Sequence, residues 1–145
     1  MNQWQQGFAK RVEALRETAL KRFESFADGV LAEVYEAFVE FASRYDFQCS
    51  APQHARGSRF YKFALSEDAY VLIYFRARGL DGIECEHECS VPGRGCGESG
   101  RSGIALADAD SAWVERCLQV ALDDLVSRLS EAGSPSRPAP ELVGA

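Results

Sequence analysis

The sequence is poor in the residue types that usually announce an activity. It holds two histidines, one methionine and three lysines in 145 residues. It contains no G-x-S-x-G, H-E-x-x-H or P-loop pattern on which a serine nucleophile, a helical zinc pair or a phosphate cradle could be built. No apolar run approaches the roughly 20 residues of a membrane span. Met1 to Lys10 lacks the basic segment followed by an apolar stretch that marks an export signal, so a cytoplasmic location is expected. Positive charge is not in excess either: 16 Lys+Arg against 22 Asp+Glu give a net charge of −6. That balance argues against a nucleic-acid clamp and against attraction to anionic lipid surfaces, so neither nucleic acid nor membrane is an expected partner. The excess of arginine over lysine reads as coding bias, as in a GC-rich bacterial genome. The five cysteines, Cys49, Cys85, Cys89, Cys96 and Cys117, are an odd number without an export signal, which disfavours a disulfide framework and leaves free thiols or a metal site.

At 46% hydrophobic residues, a chain of this length suffices for one domain with a core and is too short for two. From Trp4 to Tyr45 the apolar positions Phe8, Val12, Leu15, Ala19, Phe23, Phe26, Val30, Val34, Phe38, Phe41 and Tyr45 recur at steps of three and four, which predicts helix. Asp28-Gly29 interrupts the pattern without losing its phase, so one long helix and two consecutive helices are both compatible with it. A continuous helix of about 40 residues would be roughly 60 Å long and would overhang a domain of this size.

Cys49 to Ser58 reads as a connecting loop. Strands follow, with Tyr61, Phe63 and Leu65 on one face, then Val71, Ile73, Phe75 and Ala77, then Ile83, Cys85, His87, Cys89 and Val91, an antiparallel meander of three strands. A three-residue loop Leu80-Asp81-Gly82, with Gly82 in the left-handed conformation, sets Arg78 against Glu84, Arg76 against Glu86 and Phe75 against His87. Pro92 to Gly103 is too glycine-rich for a regular element and reads as a flexible loop, after which Ile104–Ala107 supplies a short fourth strand. Asp108 or Asp110 caps a helix over 111–131 with Trp113, Cys117, Ala121, Leu125 and Leu129 on its apolar face. The expected architecture is α+β: a long N-terminal helix or helix pair, an antiparallel meander of three to four strands and a C-terminal helix packed on the sheet. Residues 1–131 form the single domain and 132–145 a disordered tail.

Candidate chemistry centres on Cys85-Glu-His-Glu-Cys89 with Cys96 beyond it. Thiolates and imidazole suit zinc, but Cys85 and Cys89 lie about 13 Å apart along a strand and cannot both join His87 around one ion. Small thiols and a histidine filling the core face of a strand is the expected state, with no metal, His87, Cys89 and Cys96 being the residues a metal would use. Cys96 with His54 or His87 as base would make a thiol nucleophile, although no spacing supports it. The G-x-G-x-x-G match at Gly95–Gly100 lacks the following helix of a dinucleotide site. Glu84, Glu86 and Glu88 on one strand face could hold a divalent metal for a hydrolase or nuclease-like reaction, yet Arg76 and Arg78 stand opposite to neutralise them. Phe60, Lys62, Tyr70, Leu72, Tyr74, Arg76 and Arg78 fall on the face opposite the inferred core and form an aromatic and cationic patch of the kind enriched at interfaces, unless a helix covers it.

The expected function is therefore that of a small, noncatalytic protein-interaction or adaptor module without a cofactor, binding a protein partner or itself as a homodimer through that patch and the overhanging helix. The alternatives are a metal protein or metal-dependent hydrolase using Cys85/His87/Cys89/Cys96 or the glutamate strand, and a binder of a small ligand between helix and sheet with His87 as its polar group.

Overall fold

The helical period over Trp4–Tyr45 folds as one unbroken rod. The computed structural model describes residues 2–51 and 53–132, and the side chains of all of these except 95–99 and 132. In it α1 (Gln3–Phe26) runs through a π-helical turn (Ala27–Leu31) into α2 (Ala32–Ser43). The rod starts at a reciprocal cap: Asn2 Oδ1 accepts the Gln5 backbone N–H at 2.8 Å and Gln5 Oε1 accepts the Asn2 N–H at 3.0 Å, which satisfies two of the four donors a helix start leaves unpaired. Asp28-Gly29 sits inside the π turn, where the wider winding accommodates one extra residue and the rod continues. At 1.5 Å per residue the rod is about 60 Å long. Its second half seats on the sheet through Phe23, Ala27, Leu31, Val34 and Tyr35, whereas Trp4 and Leu15 near its start remain 67% and 55% exposed.

The sheet has six antiparallel strands where three or four were expected. β3 (Ser58–Ser66), β4 (Ala69–Arg78), β5 (Gly82–Val91) and β6 (Gly95–Ala105) form the body, and the short β1 (Gln48–Cys49) and β2 (Gln53–Ala55) both pair with β3. The stretch read as a connecting loop thus contributes two short pairings at the sheet edge. The larger correction is β6. Of the glycine-rich segment read as a loop over Pro92–Gly103, only Pro92–Arg94 is a turn; from Gly95 it runs as a strand along β5, with Gly100 opposite His87 and Gly103 opposite Glu84. Intrinsic strand preference is overridden by cross-strand fit, because a Cβ on Gly100 would lie 2.3 Å from His87 Cε1. β6 ends at Ala105, and Leu106 and Ala107, expected within a fourth strand, form with Asp108 a 3₁₀ turn.

The β4–β5 hairpin keeps the expected faces but not the expected register. Arg78 pairs with Gly82 and Phe75 with Cys85, so the loop is Gly79-Leu80-Asp81 and the ladder is shifted by two residues. The left-handed residue is Gly79 at φ +59°, not Gly82, whose missing Cβ instead avoids the Arg78 carbonyl at 2.9 Å. A shift of two preserves side-chain parity, which is why the core face survived the wrong register. Leu65, expected on that face, is 41% exposed because the β3–β4 ladder slips between Ala64 and Ser66.

α3 (Ser111–Ala132) is capped by Asp110, whose Oδ1 accepts the Trp113 N–H at 2.9 Å. The chain is α+β, with the helices on the odd-numbered face of the sheet. Tyr35 stacks on Tyr61 at 4.1 Å and Phe75 meets Trp113 edge-on at 6.0 Å. Arg59, only 2% exposed on β3, clamps the rod to the sheet through Glu24 at 2.8 Å and Asp28 at 3.1 Å. The tail expected over 132–145 lies outside the described residues from 133 onward, and Ala132 closes α3. Among the described residues no helix is long and apolar enough to cross a membrane.

Candidate functional site

Strand alternation places the expected patch on the even-numbered face of β3, β4 and β5, away from the helix layer. Phe60 packs on Tyr74 with ring centroids 4.9 Å apart, the Lys62 ammonium lies 4.4 Å above the Tyr70 ring and the Arg76 guanidinium 4.8 Å from the Tyr74 ring. Phe60, Lys62, Tyr70, Leu72, Tyr74 and Arg76 are half-buried among themselves and Arg78 is exposed. The helix contacts of the sheet are made by the opposite face, so among the described residues no helix lies over this patch.

The glutamate strand lies on the same face and is tied to arginines. Glu84 meets Arg78 at 3.3 Å, Arg101 at 3.4 Å and Arg76 at 4.0 Å, while Glu86 meets Arg76 at 2.8 Å and Arg101 at 3.4 Å. The hydrogen bond from Arg76, helped by Arg101, holds the Glu86 carboxyl below its ordinary range. Two carboxylates shared among three guanidiniums are already neutralised. The ion pairs Arg78–Glu84 and Arg76–Glu86 form as expected, but both bridge diagonally, since the shifted register sets Arg76 directly opposite Glu84.

The odd-numbered face brings together a second group, where β5 and β6 meet α3. His87 Nε2 lies 2.9 Å from Asp124 Oδ2, Cys89 Sγ donates to the same oxygen at 3.6 Å, and Arg128 Nε donates to Asp124 Oδ1 at 2.9 Å. Desolvation pushes the Asp124 carboxyl upward, but hydrogen bonds from His87 and Arg128 outweigh it and hold it below its ordinary value. Burial and the neighbouring carboxylate push the Cys89 thiol up to about 12. Cys85, two residues from His87, is hydrogen-bonded to Cys117 on α3, a contact that raises the Cys85 thiol and lowers that of Cys117. A half-open cleft of about 350 Å³ runs past this corner, lined by Cys85, His87, Gly100, Trp113, Cys117 and Val120 among others. This is the helix–sheet cavity expected to take its polar group from His87.

Of the four residues grouped by sequence, only His87 and Cys89 meet. Cys85 turns to Cys117, and the Cys96 side chain lies outside those described. His54 is exposed on β2 opposite Arg59. Sequence reading missed Asp124 and Arg128, although a signal was present: Asp124 follows Cys117 and Ala121 by seven and three residues, which puts a carboxylate on the helix stripe facing the sheet. Compared with known protein families, curated proteins and solved structures, the chain matches none.

Proposed function

We propose that the chain is a noncatalytic interaction module that works as a homodimer, with a second copy packed antiparallel along the helical rod. The observation that carries this reading is the charge asymmetry of the rod. Residues 3–22 carry Lys10, Arg11, Arg16, Lys21 and Arg22 against Glu13 and Glu17, whereas residues 24–43 carry Glu24, Asp28, Glu33, Glu36 and Glu40 and no base. Antiparallel pairing lays the basic half of one rod on the acidic half of the other, and a two-fold axis makes both contacts at once. The apolar anchors are exposed at both ends: Trp4 stacks on Phe8 at 5.1 Å and Phe41 meets Tyr45 at 5.4 Å. The same pairing sets one aromatic couple against the other and buries side chains that are now 48–67% exposed. The sheet-face patch takes no part in this contact and stays available to a protein partner that brings an apolar side chain and a carboxylate to Tyr74 and its flanking cations.

Light scattering at high micromolar concentration is expected to give twice the 16.0 kDa chain mass, falling toward the monomer as salt screens the charges. Lys10→Glu/Arg11→Glu and Glu36→Lys/Glu40→Lys proteins should each be monomeric, and a mixture of the two should form heterodimers. A monomeric wild-type protein, or two variants that stay monomeric when mixed, overturns the reading.

A further inference from the structure

The geometry points to a transition-metal site at His87, Cys89 and Asp124, suited to a zinc-class divalent cation, independent of the rod and of the dimer. Imidazole nitrogen, thiolate sulfur and carboxylate oxygen are the three donor types zinc takes from proteins. Here one of each converges, from two residues on β5 and one on α3, with all three donor atoms within 4.8 Å of one another. Around an ion with bonds of roughly 2.0 to 2.3 Å, donors in a tetrahedron sit about 3.3 to 3.7 Å apart. The 3.6 Å between Cys89 Sγ and Asp124 Oδ2 already matches this, and the 2.9 Å between His87 Nε2 and Asp124 Oδ2 needs a small opening.

Two further features shape the group. Arg128 holds Oδ1, the oxygen not shared with His87 and Cys89, and so aims Oδ2 at them, the orienting role that outer residues play for metal-bound carboxylates. Gly100 lets the imidazole lie flush against β6, since a Cβ there would overlap its ring. A core-filling role accounts for a buried thiol and one histidine, but not for a carboxylate fixed between both of them and an arginine.

His87 and Asp124 line a cleft of about 390 Å³ together with Gly100, Asp123, Ser127 and Arg128. With Cys89 buried behind them, the two donors that line this cleft leave a fourth position for water or a small anion, the pattern of an open rather than a closed zinc site. Binding releases the Cys89 proton, so affinity should rise with pH.

The test uses the full chain, reduced and freed of metal, titrated with Zn²⁺ or Co²⁺ alone. One equivalent of zinc per chain should be retained after dialysis and should raise the melting temperature. Co²⁺ should produce a thiolate charge-transfer band that Cys89→Ser abolishes and Cys49→Ser leaves intact. Asp124→Asn, the same size as the native residue, should weaken binding by at least about tenfold. Absence of stoichiometric binding by the wild-type protein overturns the proposal. So does a cobalt–thiolate band that survives Cys89→Ser, which would place the metal on other thiols. Should Cys89→Ser not fold, the Asp124→Asn titration and the wild-type stoichiometry decide the matter.

Discussion

Removing Glu24 should destabilise the protein more than removing its partner Arg59. The Arg59 side chain is 2% exposed while that of Glu24 is 31% exposed, so the two ends of this ion pair are not equivalent. Glu24 receives both guanidinium nitrogens, at 2.8 and 3.0 Å, and also the Gly57 N–H at 2.9 Å. In Glu24→Ala the buried cation keeps Asp28, itself 66% exposed, and the carbonyls of Ser58 and Ala55 at 2.8 and 3.3 Å. Breaking a buried pair from one side costs about 3 to 5 kcal/mol, and the surviving Asp28 contact sets the expectation near about 3. Arg59→Met fills the slot beside Phe23 with apolar atoms and leaves Glu24 and Asp28, both of which can rehydrate, so a loss of about 1 kcal/mol is expected. Glu24→Met/Arg59→Met should return close to wild type. Urea unfolding at pH 7 with unchanged m-values measures all three. The pH dependence carries the same signature. Arg59 holds the Glu24 carboxyl below its ordinary value of 4.5, so the pair's contribution is fully present above that value and is lost as pH falls through the lowered one. Arg59→Met should lack this part of the acid decline. A Glu24→Ala protein that loses less than Arg59→Met would refute the argument, because it would mean that water reaches the guanidinium.

The two faces of β4 should respond unequally to truncation. Phe75→Ala should cost about 3 to 5 kcal/mol and Tyr74→Ala about 1, since the first empties the core between Tyr61 and Trp113 and the second loses contacts that include the Phe60 ring and the Arg76 cation on an open face. Equal losses in urea unfolding would mean that the patch is covered. Gly100→Ala should lower stability by about 1 to 3 kcal/mol by displacing the His87 ring. Gly103→Ala, whose Cβ would come no closer than 3.8 Å to the Ile83 carbonyl, should change it by under about 0.5; comparable losses at both sites would show that strand glycine, not the ring, sets the cost.

Periodicity made most of this fold legible. The rod, the parity of β3, β4 and β5 and the apolar face of α3 all follow from local spacing, because burial on one face imposes a period that single residues report. What spacing cannot report is pairing between distant segments. β6 looked like a loop because its glycines have no strand preference of their own, and only the His87 ring across the ladder explains Gly100. The hairpin register slipped because two glycines, Gly79 and Gly82, compete for the left-handed position and sequence alone does not rank them. The candidate metal group was half visible for the same reason: His87 and Cys89 share a strand, whereas Asp124 arrives from a helix about 35 residues away in sequence. Arg101 reaches the glutamates only through the pairing of β6 with β5, which no local period reports.

The π turn makes the rod sensitive to length. From Phe8 to Tyr45 the apolar positions make ten steps over 37 residues, where uniform α-helical winding would cover about 36. The π turn absorbs that surplus residue, so the two halves keep a common phase and each keeps its own seat. Deleting one residue of Ala27–Leu31 would let the turn rewind as ordinary helix with both halves still in phase, whereas deleting a second would swing everything before it by about 100° about the axis. Phe23 would leave the sheet and Glu24 would leave Arg59, with the composition of both halves untouched. Over evolutionary time this stretch should therefore tolerate the loss of one residue but resist the loss of two, and should exchange side chains freely at Gly29 but not at Asp28, which pairs with Arg59, whereas a surface loop tolerates wider changes of length.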